Sequence, residues 1–110
     1  MFHNIKIKLV GCSFQKPKHK PERGQAIKLK LEPNNPHDHH AIAVYNSYDE
    51  KIGYVGTENT VSNGNKSNGC VTNLDIKPLI DFDDDNSYLG IISKFKDYFG
   101  FIDITIDIDE

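Results

Sequence analysis

Apolar and polar residues alternate with a period of two along most of this chain, the pattern of strands that bury one face and wet the other. From Phe2 to Val10, Ile5, Ile7 and Leu9 fall on one face and Lys6 and Lys8 on the other. From Ala26 to Glu32 the alternation places Ile27, Leu29 and Leu31 inward and Lys28 and Lys30 outward. Pro33 and Pro36 end that strand, because neither can donate to a ladder. Ala41–Tyr45 and Lys51–Val55 predict two strands joined by the polar turn Asn46–Glu50. Near the C-terminus, Ile102, Ile104, Ile106 and Ile108 alternate with Asp103, Thr105, Asp107 and Asp109, a strand with an acidic outer face.

Between these strands the pattern is less regular. Gly11–Gly24 holds Pro17, Pro21 and four basic residues, and predicts a long exposed loop. Thr57–Thr60 is placed to open a helix, with Thr57 as its cap, but the Asn-, Ser- and Gly-rich run from Ser62 to Gly69 keeps any such helix short. Cys70–Ile80 predicts a strand that breaks over Asp81–Ser87, and Tyr88–Phe95 fits either a strand or a helix. About six short strands, mostly antiparallel, with one or two short helices predict an all-β fold, a small barrel or sandwich. No repeat or boundary interrupts the chain, so residues 1–110 are expected to form a single domain.

Composition narrows the function. With 110 residues, 37% hydrophobic and 26% charged, the chain suits one core, and no stretch approaches the roughly 20 apolar residues of a membrane span. Met1–Lys6 lacks the apolar segment of a secretory signal, and Cys12 and Cys70 are too few for a disulfide scaffold. These features predict a reduced, cytoplasmic protein. The net charge of −3 hides an asymmetry: residues 1–56 carry nine Lys and Arg against five Asp and Glu, whereas residues 57–110 carry four against eleven. A basic half of this kind suits an anionic partner.

The central block carries more than periodicity. Val10-Gly11 closes the first strand and Gly24 precedes the second. Leu31-Glu32-Pro33-Asn34-Asn35-Pro36-His37-Asp38-His39-His40-Ala41-Ile42-Ala43-Val44 then leads to Ile52-Gly53-Tyr54-Val55. This order and spacing resembles the HIRAN domain, marked by an acidic residue and proline, Asn-Pro-aromatic-Asp-x-x-Ala-x-x-Val and Ile-Gly-Tyr-Val. The resemblance covers residues 5–56, and residues 57–110 match by strand pattern alone. It implies a single OB-like barrel that binds single-stranded DNA and captures its 3′-hydroxyl end. By resemblance, Phe14 stacks on terminal bases, Asn35, His37 and Asp38 hold the sugar end, and Tyr54 lies nearby. Lys16, Lys18, Lys20 and Arg23 are the candidate phosphate contacts. The chain departs from the family at His37, where tyrosine is usual, at His40, at Gln15 and at Ser13.

Other readings of the same residues stay open. Asn35 and Asp38 are also ordinary turn-formers that cap their own backbone. Lys6, Lys8, Lys28 and Lys30 alternate with apolar residues and fit the wet face of a sheet. A neighbouring Asp103–Asp109 strand would neutralise them. His37, Asp38, His39 and His40, with His19, raise a metal site, but adjacent residues on one loop point apart, and no metal or other cofactor is expected. Asp81–Asp85 lacks the order of a calcium loop, and no catalytic motif appears. The leading expectation is a non-enzymatic binder of single-stranded DNA. The alternative is a protein-interaction module that keeps the barrel without the DNA-end pocket, and a metal-dependent enzyme is a third reading.

Overall fold

A computed structural model describes residues 2–11, 18–57, 70–98 and 101–109. Six strands form a closed, fully antiparallel barrel: β1 (Phe2–Val10), β2 (Ala26–Leu31), β3 (Ile42–Tyr45), β4 (Lys51–Val55), β5 (Ser87–Tyr98) and β6 (Phe101–Asp109), in the order β1-β4-β3-β2-β5-β6. Closure gives every strand two hydrogen-bonded neighbours, which limits the template for edge-to-edge aggregation. The all-β fold expected from the alternation and the OB-like barrel that the resemblance implies are therefore what is observed. The inward residues Ile7, Ile27, Leu29, Ile42, Val44, Ile104 and Ile106 are wholly excluded from solvent. Each such side chain contributes about 1.5–3 kcal/mol of burial.

The segment from Cys70 to Ile80 differs from the expected strand. Val71 makes a single parallel bridge to Ile7, after which α1 (Asn73–Ile76) begins. Thr72 caps it by accepting from the Asp75 N–H, while the Asp75 carboxylate accepts from the Thr72 N–H, a reciprocal pair that satisfies two orphan donors. Ile76 and Ile80 drop into the barrel core, so the apolar spacing of this segment serves a helical turn. The helix expected at Thr57–Thr60 lies outside the described residues beyond Thr57, as does the turn-rich run after it.

The last strand settles the charge question for one lysine. β1 pairs with β6 in a register that sets Lys8 opposite Asp103 and Lys6 opposite Thr105. Lys8 and Asp103 are both buried. On β2, Lys28 donates to the Asp49 carboxylate of the β3–β4 turn. The sheet lysines thus serve in part as cross-strand partners. Cys70 is a buried free thiol, and its own burial together with the Asp103 carboxylate pushes its pKa up, away from the reactive thiolate.

Candidate nucleic-acid interface

The chain from Glu32 to Ala41 crosses from β2 to β3 without regular structure, and its shape is set by its own polar side chains. Asn35 Oδ1 accepts from the N–H groups of His37 (2.8 Å) and Asp38 (3.2 Å), closing an Asx turn around Pro36. Asp38 Oδ1 accepts from the His40 N–H at 2.8 Å, closing a second such turn. Asn35 Nδ2 reaches back to Glu32 Oε1 at 3.0 Å. The turn-forming reading of Asn35 and Asp38 is therefore real, and it holds both side chains at the mouth of the barrel.

Two adjoining depressions open there. One, of about 560 Å³, is lined by Glu32, Pro33, Asn34, Asn35, His37 and Tyr54, among others. The other, of about 280 Å³, shares Asn35, His37 and Tyr54 and adds Asp38 with an apolar floor of Val10, Ala41 and Val55. Four of the residues singled out from the sequence, Asn35, His37, Asp38 and Tyr54, thus meet at one place. They meet because Tyr54 on β4 pairs with both Val10 of β1 and Ala43 of β3, directly beside the loop.

Glu32, Lys51 and Asn73 complete the site, and none of them was singled out as a contact by sequence reasoning. Glu32 Oε1 accepts from Tyr54 Oη at 2.9 Å, and Glu32 Oε2 accepts from Lys51 Nζ at 3.0 Å. Lys51 Nζ also donates to Tyr54 Oη at 3.1 Å. Partial burial raises the Glu32 pKa, but the hydrogen bonds from Asn35, Lys51 and Tyr54 outweigh it and hold the carboxyl below its ordinary range. The bond to Tyr54 and the Glu32 charge push Lys51 upward against its own desolvation. This triad fixes the tyrosine ring. Asn73, buried at the start of α1, donates from Nδ2 to Asp38 Oδ2 (3.3 Å) and to the His40 carbonyl (2.8 Å). It ties the helical turn to the loop. A Thr-x-x-Asp capping pattern was present in the sequence to announce that turn, whereas nothing in the residue spacing announced the Asn73 contact.

The histidines point apart. His39 Nδ1 donates to the Pro33 carbonyl at 3.1 Å, while His40 Nδ1 accepts from Lys77 Nζ at 3.0 Å. Among the described residues, no three His, Cys, Asp or Glu side chains are placed to hold a metal ion.

Phe14 and Lys16 lie outside the described residues. Lys18, Lys20 and Arg23 are exposed but do not line either depression. The Glu50 carboxylate, at the far end of β4 from Tyr54, accepts from the N–H groups of Lys18 (3.1 Å) and His19 (3.2 Å) and from His19 Nδ1 (3.0 Å). Asn46 Nδ2 donates to the same carboxylate and to the His19 carbonyl, each at 2.9 Å. The Asn46 bond first, then the Lys18 N–H and His19, hold Glu50 at a pKa of about 2, below the ordinary glutamate value of 4.5. A depressed carboxylate stabilises the fold above its unfolded pKa and loses that contribution as pH falls toward the folded value. The melting temperature of the wild type is expected to exceed that of Glu50→Gln above pH 5, and the gap to close between about pH 4.5 and 2. A gap that stays constant across that acid range in a series of thermal melts would contradict this assignment.

No helix of the described residues is long and apolar enough to cross a membrane. A search of curated proteins finds no match. Among solved structures, the crystal structure of the HIRAN domain of human HLTF aligns with 97% of this chain and 77% of its own, at 14% identity and a TM-score of 0.46. The HIRAN domain family profile matches residues 2–70, which include β1 to β4 and the whole loop bearing Asn35 and Asp38. The chain belongs to the HIRAN domain family, a family of nucleic-acid-binding domains.

Proposed function

We propose that this domain binds single-stranded DNA and holds its 3′-hydroxyl end at the mouth formed by Asn35, His37, Asp38 and Tyr54, without catalysing a reaction. The observation that carries the reading is the convergence of a fixed aromatic ring, an apolar floor and the Asp38 carboxylate on one open depression. The floor of Val10, Ala41 and Val55 suits a sugar or base face, and the Tyr54 ring offers a stacking surface whose position Glu32 and Lys51 set. Among the described residues, the Asp38 carboxylate accepts two hydrogen bonds, and a carboxylate has about four lone-pair directions, so it can take the proton of a hydroxyl. The Asp38 carboxylate opposes a phosphate in this depression, which favours a free hydroxyl end over a phosphorylated one. Phe14, Lys16, Lys18, Lys20 and Arg23 belong to the proposal as contacts for the bases and phosphates further from the end.

A second reading, a protein-interaction module, is favoured by one observation. Leu89 and Ile91 stand side by side on the outer face of β5, 69% and 48% exposed. Fluorescence polarisation of labelled single strands ending in 3′-hydroxyl or 3′-phosphate, at about 50 and 200 mM salt, separates the two. The hydroxyl end is expected to bind about tenfold more tightly, a difference of about 1.4 kcal/mol, and Asp38→Ala to abolish that preference. Lys18→Ala should weaken both ends alike. Binding that ignores the end and collapses with salt reduces the function to backbone charge, and no binding to either strand at low salt leaves the interaction module.

A further inference from the structure

The outer face of the barrel between β2, β3 and β4 carries a ladder of alternating rings and ammonium groups. It starts at the pocket and runs to the opposite end of β4. Lys51 Nζ lies 5.0 Å from the centre of the Tyr54 ring and 5.9 Å from that of Tyr45. Lys28 Nζ lies 4.8 Å from the centre of the Tyr45 ring. Lys28 bonds Asp49 in the β3–β4 turn, and the next residue back, Tyr48, stacks on His19 with ring centres 3.7 Å apart and planes 14° from parallel. Tyr48 is 57% exposed, so the stack leaves ring surface in water. The Glu50 and Asn46 bonds described above fix the His19 backbone, and the platform is therefore built before any ligand arrives.

We propose that this ladder is a track for single-stranded DNA, carrying the bases upstream of the captured end from Tyr54 past Tyr45 to the Tyr48–His19 platform. Rings flanked by lysines suit this ligand, because bases stack on the rings while ammonium groups meet the phosphates. Within β2, β3 and β4 the charged residues are the three lysines Lys28, Lys30 and Lys51, and the carboxylates Glu32, Asp49 and Glu50 adjoin the strand ends. One of those carboxylates, Asp49, is mostly exposed and free to swing away from Lys28. The track also gives the basic loop a place in binding. Lys18 is anchored at its far end by Glu50 and is not at the pocket. OB-like barrels cover about four nucleotides or more of a single strand.

The inference rests on the pocket holding the strand end, so its test uses two lengths. Three-nucleotide and eight-nucleotide single strands with the same 3′-hydroxyl end are titrated against the wild type, Tyr48→Ala and Lys28→Gln, with thermal melts confirming that both variants are folded. The octamer is expected to bind the wild type at least tenfold more tightly than the trimer. Tyr48→Ala should weaken the octamer about tenfold and leave the trimer unchanged, and Lys28→Gln should do the same with a shallower salt dependence. If octamer and trimer bind every protein alike, the track is overturned and the pocket stands. If neither length binds the wild type, the track falls together with the pocket.

Discussion

Gly53→Ala is expected to lower the unfolding free energy by about 3 kcal/mol. A Cβ at this position would sit 2.7 Å from the Val10 carbonyl oxygen and 3.0 Å from Leu9 Cγ. The first is backbone, and it belongs to the short stretch where β1 and β4 pair, Leu9 with Val55 and Val10 with Tyr54. Backbone cannot move aside without breaking that ladder, so the methyl group must push β4 away from β1 and carry Tyr54 with it. Gly24→Ala supplies the contrast. Its Cβ would meet nothing within 4 Å, and the cost is only the strain of a side chain at φ +91°, about 1–2 kcal/mol. Chemical denaturation of the two variants side by side measures the difference. Equal losses would mean that steric crowding under Tyr54 has no part in the Gly53 requirement.

The strands that could be read from the sequence are those in which geometry and chemistry agree. Over residues 5–9, 27–31 and 102–107 the inward positions are Ile or Leu and the outward ones Lys, Asp or Thr, so the period of two shows directly. β5 resisted for a physical reason. Its outward Leu89 and Ile91 are apolar although exposed, and a bulge between Ile92 and Lys94 shifts the parity midway. Gly90 adds to the confusion, because it faces inward where the Ile106 side chain leaves no room for a Cβ. The segment from Cys70 to Ile80 misled in the opposite way. Its apolar residues suited a strand, but the local bonds of Thr72 and Asp75 decided for a helical turn.

The candidate site was legible where the loop shapes itself and illegible where distant segments complete it. Asn35 and Asp38 declare their turns through residue type alone, and Tyr54 is held near them by strand pairing that the alternation implies. Glu32, Lys51 and Asn73 are ordinary surface residues by type, and only the crossing of β2, β4 and α1 brings them together. The basic loop shows the same limit. Its charge was evident, but its anchorage depends on the Glu50 carboxylate, 32 residues beyond Lys18 in sequence. Lys18, a candidate phosphate contact by sequence, thus stands at the other end of β4 from Tyr54.

Asn35→Ala and Asn35→Asp, compared across pH, are expected to show how the loop holds the site together. Alanine removes the acceptor for two backbone N–H groups and the donor to Glu32, a loss of about 1–3 kcal/mol and at least tenfold in single-strand binding. Aspartate keeps the acceptor, so the turn around Pro36 survives. It replaces the Nδ2 donor, however, with a second carboxylate oxygen about 3 Å from Glu32 Oε1. Two carboxylates this close cannot both stay ionised without cost, so Asn35→Asp should be less stable than the wild type at pH 7. Protonating one of the pair turns repulsion into a hydrogen bond, which relieves the variant as pH falls. The wild type moves the other way, because its Glu32 pKa is depressed and the stabilisation that this represents is lost on acidification. The stability gap between wild type and Asn35→Asp should therefore narrow steeply from pH 7 to about pH 4, while the gap for Asn35→Ala narrows far less. Parallel gaps for the two variants would show that Asn35 acts through its turn alone and that its bond to Glu32 carries no weight.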